Sequence, residues 1–171
     1  KKKKKNKIKK KNRVHRGCIS MEIRLSEVIG KGYSTFWNSR QRYRAVKGSR
    51  GSKKSRTTAL WLIYHIMKYR EANALVVRKV FDNLRQSCYS DLEWAINRLG
   101  VRHLWKSSKS PLELIFKPTG QKILFRGLDD PLKLTSITVS EGYLCWCWIK
   151  KSVQHIKINS SNCWDTLTKL T

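Results

Sequence analysis

The sequence predicts an α/β fold in which helices flank a mostly parallel β-sheet, and three stretches of the chain indicate this. The β-prone run at residues 43–47 leads through a glycine-rich loop into a helical pattern that should end near Tyr69. Residues 74–78 form a short, continuous apolar run, as expected of a strand buried in a parallel sheet. The most apolar run in the chain, residues 143–149, should be a central strand of the same sheet.

The remaining elements fit one incomplete domain of this class. A long helical pattern runs from Val80 to Leu99 and stops at Gly100, a residue type favoured just after a helix C-terminus. Residues 113–126 alternate in polarity around Pro118-Thr119-Gly120, which indicates an inserted β-hairpin. Residues 22–39 are expected to be a lead-in that packs on the fold.

The chain is strongly basic. Its 171 residues carry a formal net charge of +27, and the first 20 residues contribute 11 Lys and Arg without any acid. Removing those 11 charges leaves +16 over residues 21–171, so the body of the chain is basic in its own right. Such a charge favours a polyanionic partner, first of all nucleic acid, although a solvated surface without a specific partner has a similar composition.

Residues 1–20 are expected to be a disordered basic tail, since they are low in complexity, self-repelling and nearly free of large apolar residues. They contain no apolar segment of a secretory signal, and the chain has no 18-residue apolar run that suggests a membrane span. Met21 opens the first stretch that resembles a globular protein. A nuclear-localisation or nucleic-acid-binding arm would have a similar composition, and translated upstream sequence is a further interpretation of residues 1–20.

The cysteines and tryptophans predict packing. The five cysteines are odd in number and contain no C-x-x-C pair, which favours buried, reduced thiols over a zinc site. On a strand, Cys145 and Cys147 would share one face. We expect a role in packing, and not in base stacking, for Trp37, Trp61, Trp94, Trp105, Trp146 and Trp148.

The loop after the first strand has the spacing of a nucleotide-phosphate cradle. It reads Gly48-Ser49-Arg50-Gly51-Ser52-Lys53-Lys54-Ser55, against a regular pattern of G-x-x-x-x-G-K-[ST]. Small residues let backbone N–H groups converge on phosphates, the helix N-terminus adds a positive dipole end, the Lys reaches the β- and γ-phosphates, and the Ser hydroxyl helps to hold Mg²⁺. Lys53 departs from the pattern, which has its second Gly there, and the alternative is a basic surface turn capped by Ser55.

A phosphate-loop ATPase also needs carboxylates at the end of a second buried strand, one for the Mg²⁺ shell and one to orient the attacking water. Residues 143–149 are the best candidate in the sequence for that strand, and the two residues that follow are Lys150 and Lys151. Ammonium groups neither coordinate Mg²⁺ nor accept a proton from water at neutral pH. The sequence therefore contains the phosphate loop of a hydrolytic site but lacks the carboxylates that such a site needs after the second strand.

Residues 21–149, about three quarters of the chain, resemble the N-terminal ATPase domain of the large terminase subunit of tailed bacteriophages. The matching segments follow the family's order and are residues 22–29, 47–55, 75–81, 103–106, 118–131 and 144–148. In this family a Lys or a small residue can stand at the position of Lys53. The resemblance implies a RecA-like, ASCE-type P-loop NTPase fold. It also implies that Lys53, although it departs from the regular pattern, is compatible with a phosphate loop.

The resemblance also implies roles for individual residues. Lys54 would contact the β- and γ-phosphates, Ser55 the Mg²⁺ ion, and Arg50 the surroundings of the γ-phosphate. The loop amides would come from Gly48, Ser49, Gly51, Ser52 and Lys53.

An arginine finger, a cation that stabilises charge on the γ-phosphate, belongs to such a motor. Arg126 is the first candidate and Arg78 the second. The alternative for both is a structural Arg paired with an acid such as Asp129 or Asp130, whose position before Pro131 is typical of a turn.

The implied cofactors are ATP and Mg²⁺, and the implied activity is ATP-driven translocation of double-stranded DNA into procapsids. The DNA would be gripped through its phosphates, without sequence preference and in a salt-sensitive manner. The other implied partners are the terminase small subunit, the portal protein and further copies of the chain, in the cytoplasm of a bacterial host and with no membrane. The source would be a phage or a prophage.

The resemblance stops after Ile149, where the family has a Glu-Glu pair. Two Glu codons, GAA-GAA, read one nucleotide out of phase begin AAG-AA, which encodes Lys and then Lys or Asn. We therefore interpret residues 150–171 as a non-matching, out-of-frame tail. Hydrolysis should be impaired, and the chain should stop before the family's nuclease domain. Genuine Lys codons with normal downstream homology at the locus would contradict this interpretation.

Two other functional interpretations stay open. The chain could be a non-catalytic, basic nucleic-acid-binding remnant that keeps the fold without the chemistry. An unrelated helicase or kinase with a phosphate loop would fit the octapeptide but not the later segments.

Overall fold

The computed structural model describes residues 28–29, 32–41, 43–49, 51–70, 72–78, 80–127, 144–150 and 153–158. The helices in this part of the chain are α1 Ser34–Asn38, α2 Lys54–Lys68, α3 Asp82–Leu84 and α4 Ser90–Arg98, with a π-helical segment, Arg85–Tyr89, between α3 and α4 and a 3₁₀ turn at Arg102–Leu104. The strands are β1 Tyr43–Lys47, β2 Ala74–Arg78, β3 Trp105–Lys109, β4 Leu112–Phe116, β5 Gln121–Gly127, β6 Leu144–Lys150 and β7 Val153–Ile158. All seven strands form one sheet, in the order β1-β7-β6-β2-β5-β4-β3.

The predicted elements within these ranges are confirmed. Strand β1, helix α2 and strand β2 follow one another as the apolar patterns indicate, and β6 lies inside the sheet. The long helical pattern after β2 becomes α3, the π-helical segment and α4. It ends at Gly100, whose φ of +70° is the left-handed conformation common after helices. The predicted hairpin is the antiparallel pair β4–β5.

The expectation of a mostly parallel sheet is wrong, because the sheet is mixed. Among the described strands, the parallel pairs are β2–β5 and β2–β6. The pairs β1–β7, β6–β7, β4–β5 and β3–β4 are antiparallel. The length of the connections explains two of these pairs, because two residues join β6 to β7 and two join β3 to β4. Connections this short allow only antiparallel neighbours, since a parallel pair needs a long crossover.

Four strands nevertheless end at the same edge of the sheet. Strand β7 is antiparallel to both of its neighbours, so β1 and β6 run in one direction, and β2 and β5 share it through their parallel pairings. This carboxyl edge gathers the loop after β1, Arg78 at the end of β2, Gly127 at the end of β5 and Lys150 at the end of β6.

One face of the sheet and the helices enclose the main core. Helix α2 contributes Ala59, Trp61, Ile63 and Ile66, and the strands contribute Val76, Leu114, Phe116, Ile123 and Phe125, all of them buried in one cluster with residues of α4. The side chains of β4 and β5 alternate between buried and half-exposed, as expected of strands with one covered face. In the lead-in, Phe36 and Trp37 of α1 pack against this core, as the sequence predicted.

Four of the six tryptophans expected to serve packing do so. Trp61 and Trp105 are buried in the core, and Trp37 and Trp94 pack against it. The side chains of Trp146 and Trp148 lie outside the described part of the structure. Burial raises the pKa of the Cys88 thiol to about 12, so this cysteine stays protonated at neutral pH. Cys145 and Cys147 lie two positions apart on β6.

The described ranges contain no group of three or more His, Cys, Asp or Glu side chains that could hold a metal ion. No described helix is long and apolar enough to cross a membrane.

Aromatic rings surround a buried arginine where α1, β1 and α2 meet. Arg44 is 8% exposed, and its guanidinium carbon lies 4.5 Å from the centre of the Trp61 ring and 6.0 Å from that of Phe36. The guanidinium also donates to the carbonyl oxygens of Phe36 and Ser39. His65 stacks on Trp61 with the ring centres 3.8 Å apart. These contacts fix α1 and β1 on the helix that follows the loop.

This environment makes His65 hard to protonate. Its Nδ1 lies 2.8 Å from the carbonyl oxygen of Trp61, which identifies Nδ1 as the protonated nitrogen of a neutral ring. Burial lowers the pKa of His65 to about 4, and the nearby charges of Arg44 and Lys68 act in the same direction. An unfolded His titrates near 6.5, so the unfolded state binds more protons than the folded state between these two values.

We predict that His65 makes the protein less stable in mild acid. Its pKa is depressed on folding, so stability is complete above about pH 6.5 and falls as the pH drops towards 4, by up to about 3 kcal/mol. His65→Phe should therefore lose less stability than the wild type between about pH 7.5 and about pH 5 in urea unfolding. The exposed His103, replaced by Phe in the same way, is the control. Equal pH dependence of the wild type and His65→Phe would contradict the prediction.

Candidate phosphate-binding site

The predicted phosphate loop lies between β1 and α2, at the carboxyl edge of the sheet. Residues 48–49 and 51–53 connect Lys47, the last residue of β1, to Lys54, the first of α2, and Arg50 lies outside the described residues. Strand, loop and helix thus have the arrangement in which backbone N–H groups and a helix N-terminus face one ligand.

The backbone explains why the regular pattern has a glycine where this chain has Lys53. Lys53 has φ +60° and ψ +12°, in the left-handed region, and it is the one described non-glycine residue with positive φ. Gly51, two residues earlier, has φ +86°. A side chain in the left-handed region costs about 1–2 kcal/mol, whereas glycine adopts it freely. Lys53 therefore holds a conformation that the loop requires and that glycine would adopt at lower cost.

Lys54 is buried although it carries a charged group. Its side chain is 5% exposed, and Nζ donates to the carbonyl oxygen of Ser49 at 3.0 Å. The ammonium group thus lies over the loop and is held by a backbone atom of the loop itself. A buried cation needs compensating oxygens, and a phosphate would supply more of them than one carbonyl does.

The start of the loop has no room for a larger residue than glycine. A Cβ atom on Gly48 would lie 2.8 Å from Oγ of Ser52, closer than real Cβ contacts. Oγ of Ser52 is buried, and it has no hydrogen-bond partner among the residues that the structure describes. The Ser52 N–H donates to the carbonyl oxygen of Ser49 at 3.3 Å, which closes the turn.

Helix α2 presents an uncapped N-terminus to the loop. Lys53 at the N-cap makes no side-chain capping bond, and the first turn contains no acid. Such a helix end carries free N–H groups and a partial positive charge, both of which favour an anion. Ser55, half-buried in this turn, has polar interactions of its own and is not a capping residue.

A contact that the sequence did not suggest braces the loop from the N-terminal side. The hydroxyl of Tyr33 donates to the carbonyl oxygen of Ser52 at 2.5 Å, across 19 positions of the sequence. No local pattern marks a tyrosine for this role, because the partner is a backbone atom far along the chain.

The strand register locates the end of β6 relative to the loop. Val153 of β7 pairs with Lys47 of β1 on one side and with Lys150 of β6 on the other. Neighbouring strands lie about 4.8 Å apart, so Lys150 stands roughly 10 Å from the residue that precedes the loop. Strand β6 thus ends in a lysine two strands away from the residue that precedes the loop. Lys151 lies outside the described residues.

The two arginine-finger candidates lie on neighbouring strands, and each is hydrogen-bonded. Arg78 ends β2 and donates from Nη1 to Oγ of Ser87 at 2.6 Å. Arg126 of β5 donates from Nη1 to the carbonyl oxygen of Phe125 at 2.9 Å. Both are half-buried. Asp129 and Asp130, their suggested alternative partners, lie outside the described residues.

We predict that Lys53→Gly stabilises the protein by about 0.5–1 kcal/mol, because it removes a side chain from a left-handed residue. Gly51→Ala is the matched variant, since φ at this position is also positive, and it should destabilise by about 1 kcal/mol. Urea unfolding at neutral pH measures both changes. A loss of stability in Lys53→Gly would show that the lysine side chain compensates for its backbone.

Comparison with known proteins identifies the family. The family described as phage terminase large subunit matches residues 40–168, a range that includes most of the tail after residue 149. The chain is 38% identical to the terminase large subunit of Bacillus phage SPP1 over 134 residues, 76% of this chain and 32% of that protein. It is 39% identical to the PBSX phage terminase large subunit of Bacillus subtilis (strain 168) over 101 residues, 59% of this chain and 23% of that protein.

The chain thus spans about a third of the first relative and about a quarter of the second. Because the family match covers most of the sequence, and because the phosphate-loop geometry lies inside it, this chain belongs to the phage terminase large subunit family.

Proposed function

We propose that this chain is the nucleotide-binding part of a phage DNA-packaging motor, a RecA-like, ASCE-type ATPase core that holds Mg-ATP at the loop of residues 48–55. The buried Lys54, folded into a glycine-containing loop at an uncapped helix N-terminus, carries this proposal. ATP-driven translocation of double-stranded DNA into procapsids is the activity proposed for the whole motor, of which this chain represents a part.

The residues of the loop have separate tasks in this proposal. Gly48, Ser49, Gly51, Ser52 and Lys53 offer backbone amides, Arg50 lies near the γ-phosphate, and Lys54 exchanges its bond to Ser49 for phosphate oxygens. Release of that one carbonyl bond costs little, because a charge-assisted bond to phosphate replaces it. Ser55, in the first turn of α2, offers one hydroxyl to Mg²⁺.

The site fits Mg²⁺ only in part. The ion takes oxygen ligands and is usually held by one or two carboxylates together with phosphates. Strand β6 ends in Lys150, and the next residue is Lys151. Neither can bind the ion or orient an attacking water, so we propose that hydrolysis is impaired in this chain. Arg126, and after it Arg78, remain the proposed arginine fingers, in which case each must give up its present hydrogen bond.

We predict that Lys54→Ala weakens the binding of a non-hydrolysable Mg-ATP analogue by at least about tenfold, the effect of a lost hydrogen bond to a charged group. Lys106→Ala, which removes an exposed lysine from β3 at the far end of the sheet, should not change the affinity. Isothermal titration calorimetry measures both variants. Binding that is indifferent to Lys54 would reject the nucleotide-binding proposal.

Restoring the acids should restore part of the chemistry. The double variant Lys150→Glu with Lys151→Glu should release inorganic phosphate from ATP measurably faster than the wild type, whose rate we expect near background. The same two charge changes at Lys106 and Lys122, both exposed and away from the loop, control for the altered net charge. A double variant that binds Mg-ATP yet stays at the background rate would show that the acids are not the missing component.

The strong positive charge supports a second candidate function, a non-catalytic nucleic-acid-binding remnant of the same fold. In either case we propose double-stranded DNA as a partner, bound through phosphates, with the small subunit, the portal protein and further copies of the chain as assembly partners in the cytoplasm of a bacterial host. Salt-sensitive DNA binding together with nucleotide binding that ignores Lys54→Ala would favour the remnant.

A further inference from the structure

We propose that the loop binds a nucleoside triphosphate as a metal-free polyanion, and that Lys150 supplies charge neutralisation that Mg²⁺ supplies in a hydrolytic site. The inference rests on the proposed function, because it concerns the same loop, and it states which form of the ligand this chain selects.

Strand β1 and the described residues of the loop carry cations and no acid, and the charge of Asp91 in α4 is felt by Arg56 in the first turn of α2. Lys47 at the end of β1 and Lys53 in the loop are exposed, and Lys54, the first residue of α2, is buried. Strand β1, the loop and the first turn of α2 contain no Asp or Glu. The four carboxylates among the described residues, Asp82, Asp91, Glu93 and Glu113, belong to α3, α4 and β4. Nothing on β1, the loop or α2's first turn therefore repels a highly charged anion.

Strand β6 adds a cation where a metal site needs an anion. Lys150, Val153 and Lys47 form one row across β6, β7 and β1, so Lys150 stands roughly 10 Å from the start of the loop. Lysine carries its charge on a flexible four-carbon stem. Lys150 ends β6 at the carboxyl edge of the sheet, the edge at which the loop leads from β1 into α2.

Electrostatics then decides between the two forms of the ligand. A triphosphate without metal keeps its full negative charge and is attracted by each lysine, whereas Mg²⁺ cancels part of that charge and brings two positive charges towards Lys150. Among the described residues next to the loop, Ser55 in the first turn of α2 can offer the ion a hydroxyl, and β6 ends in Lys150 and not in a carboxylate. The usual preference for Mg-ATP should therefore disappear or reverse.

The test compares ATP binding in excess EDTA with ATP binding in excess Mg²⁺, by isothermal titration calorimetry on the full chain. The dissociation constant of ATP for the wild type in EDTA should be no more than about threefold above its value in Mg²⁺, or below that value. Lys150→Glu should weaken binding in EDTA by about tenfold or more, the size of one unit-charge interaction at roughly 10 Å with an effective dielectric constant near 20. Binding in Mg²⁺ should not weaken, since the new carboxylate can face the ion.

Lys122→Glu is the matched control, because it makes the same charge change at an exposed site near the amino end of β5. It should leave the ratio of the two affinities unchanged, and an equal effect in both variants would overturn the assignment to Lys150. If Lys150→Glu does not fold, the wild-type comparison alone decides.

A wild type that binds ATP only with Mg²⁺ would overturn this inference and leave the proposed function standing. A wild type that binds ATP in neither condition, or whose binding is unaffected by Lys54→Ala, would overturn the proposed function together with the inference.

Discussion

The left-handed turn at Lys53 is the constraint on which the rest of the site depends. Because the backbone reverses there, α2 begins at the next residue, and its first turn points its free N–H groups at the loop. The same turn buries Lys54 against Ser49 and directs the apolar residues of α2, among them Ile63 and Ile66, onto the sheet. One backbone conformation thus joins the packing of the core to the geometry of a possible ligand site, and the chain accepts some strain to keep it.

Elements with a strong period or a recognised turn could be predicted from the sequence, and elements set by distant pairing could not. The apolar faces of α2 and of the β4–β5 hairpin are visible in the residue order, and both are present. The sequence does not indicate strand β3, because its residues after Trp105 are polar. It does not indicate strand β7 either, because β7 pairs with β1, which lies more than a hundred positions away, and with β6, to which a short connection joins it. The position of the loop between β1 and α2 could be predicted because its signal is local spacing, and the ligand roles of its residues stay a prediction.

The sheet topology shows how far the lysines that follow the apolar run lie from the loop. The sequence alone identifies Lys150 and Lys151 as the residues that follow an apolar run, but it does not say how far they lie from the loop. The register of β7 supplies that relation, because Val153 faces Lys47 and Lys150 at once. Lys150 thus stands two strands from β1, roughly 10 Å from the residue that precedes the loop, and in our proposal its positive charge takes the place of a bound metal.

The hydrogen bond from Tyr33 to Ser52 bears on where this domain begins. The family match starts at residue 40, which would be a natural point at which to begin an expressed fragment. Such a fragment would lose Tyr33 together with Phe36 and Trp37, the rings that lie against Trp61 and Tyr64 of α2. A fragment that begins at residue 40 would therefore lose contacts that hold both the loop and α2, so the folded unit includes residues upstream of the family match.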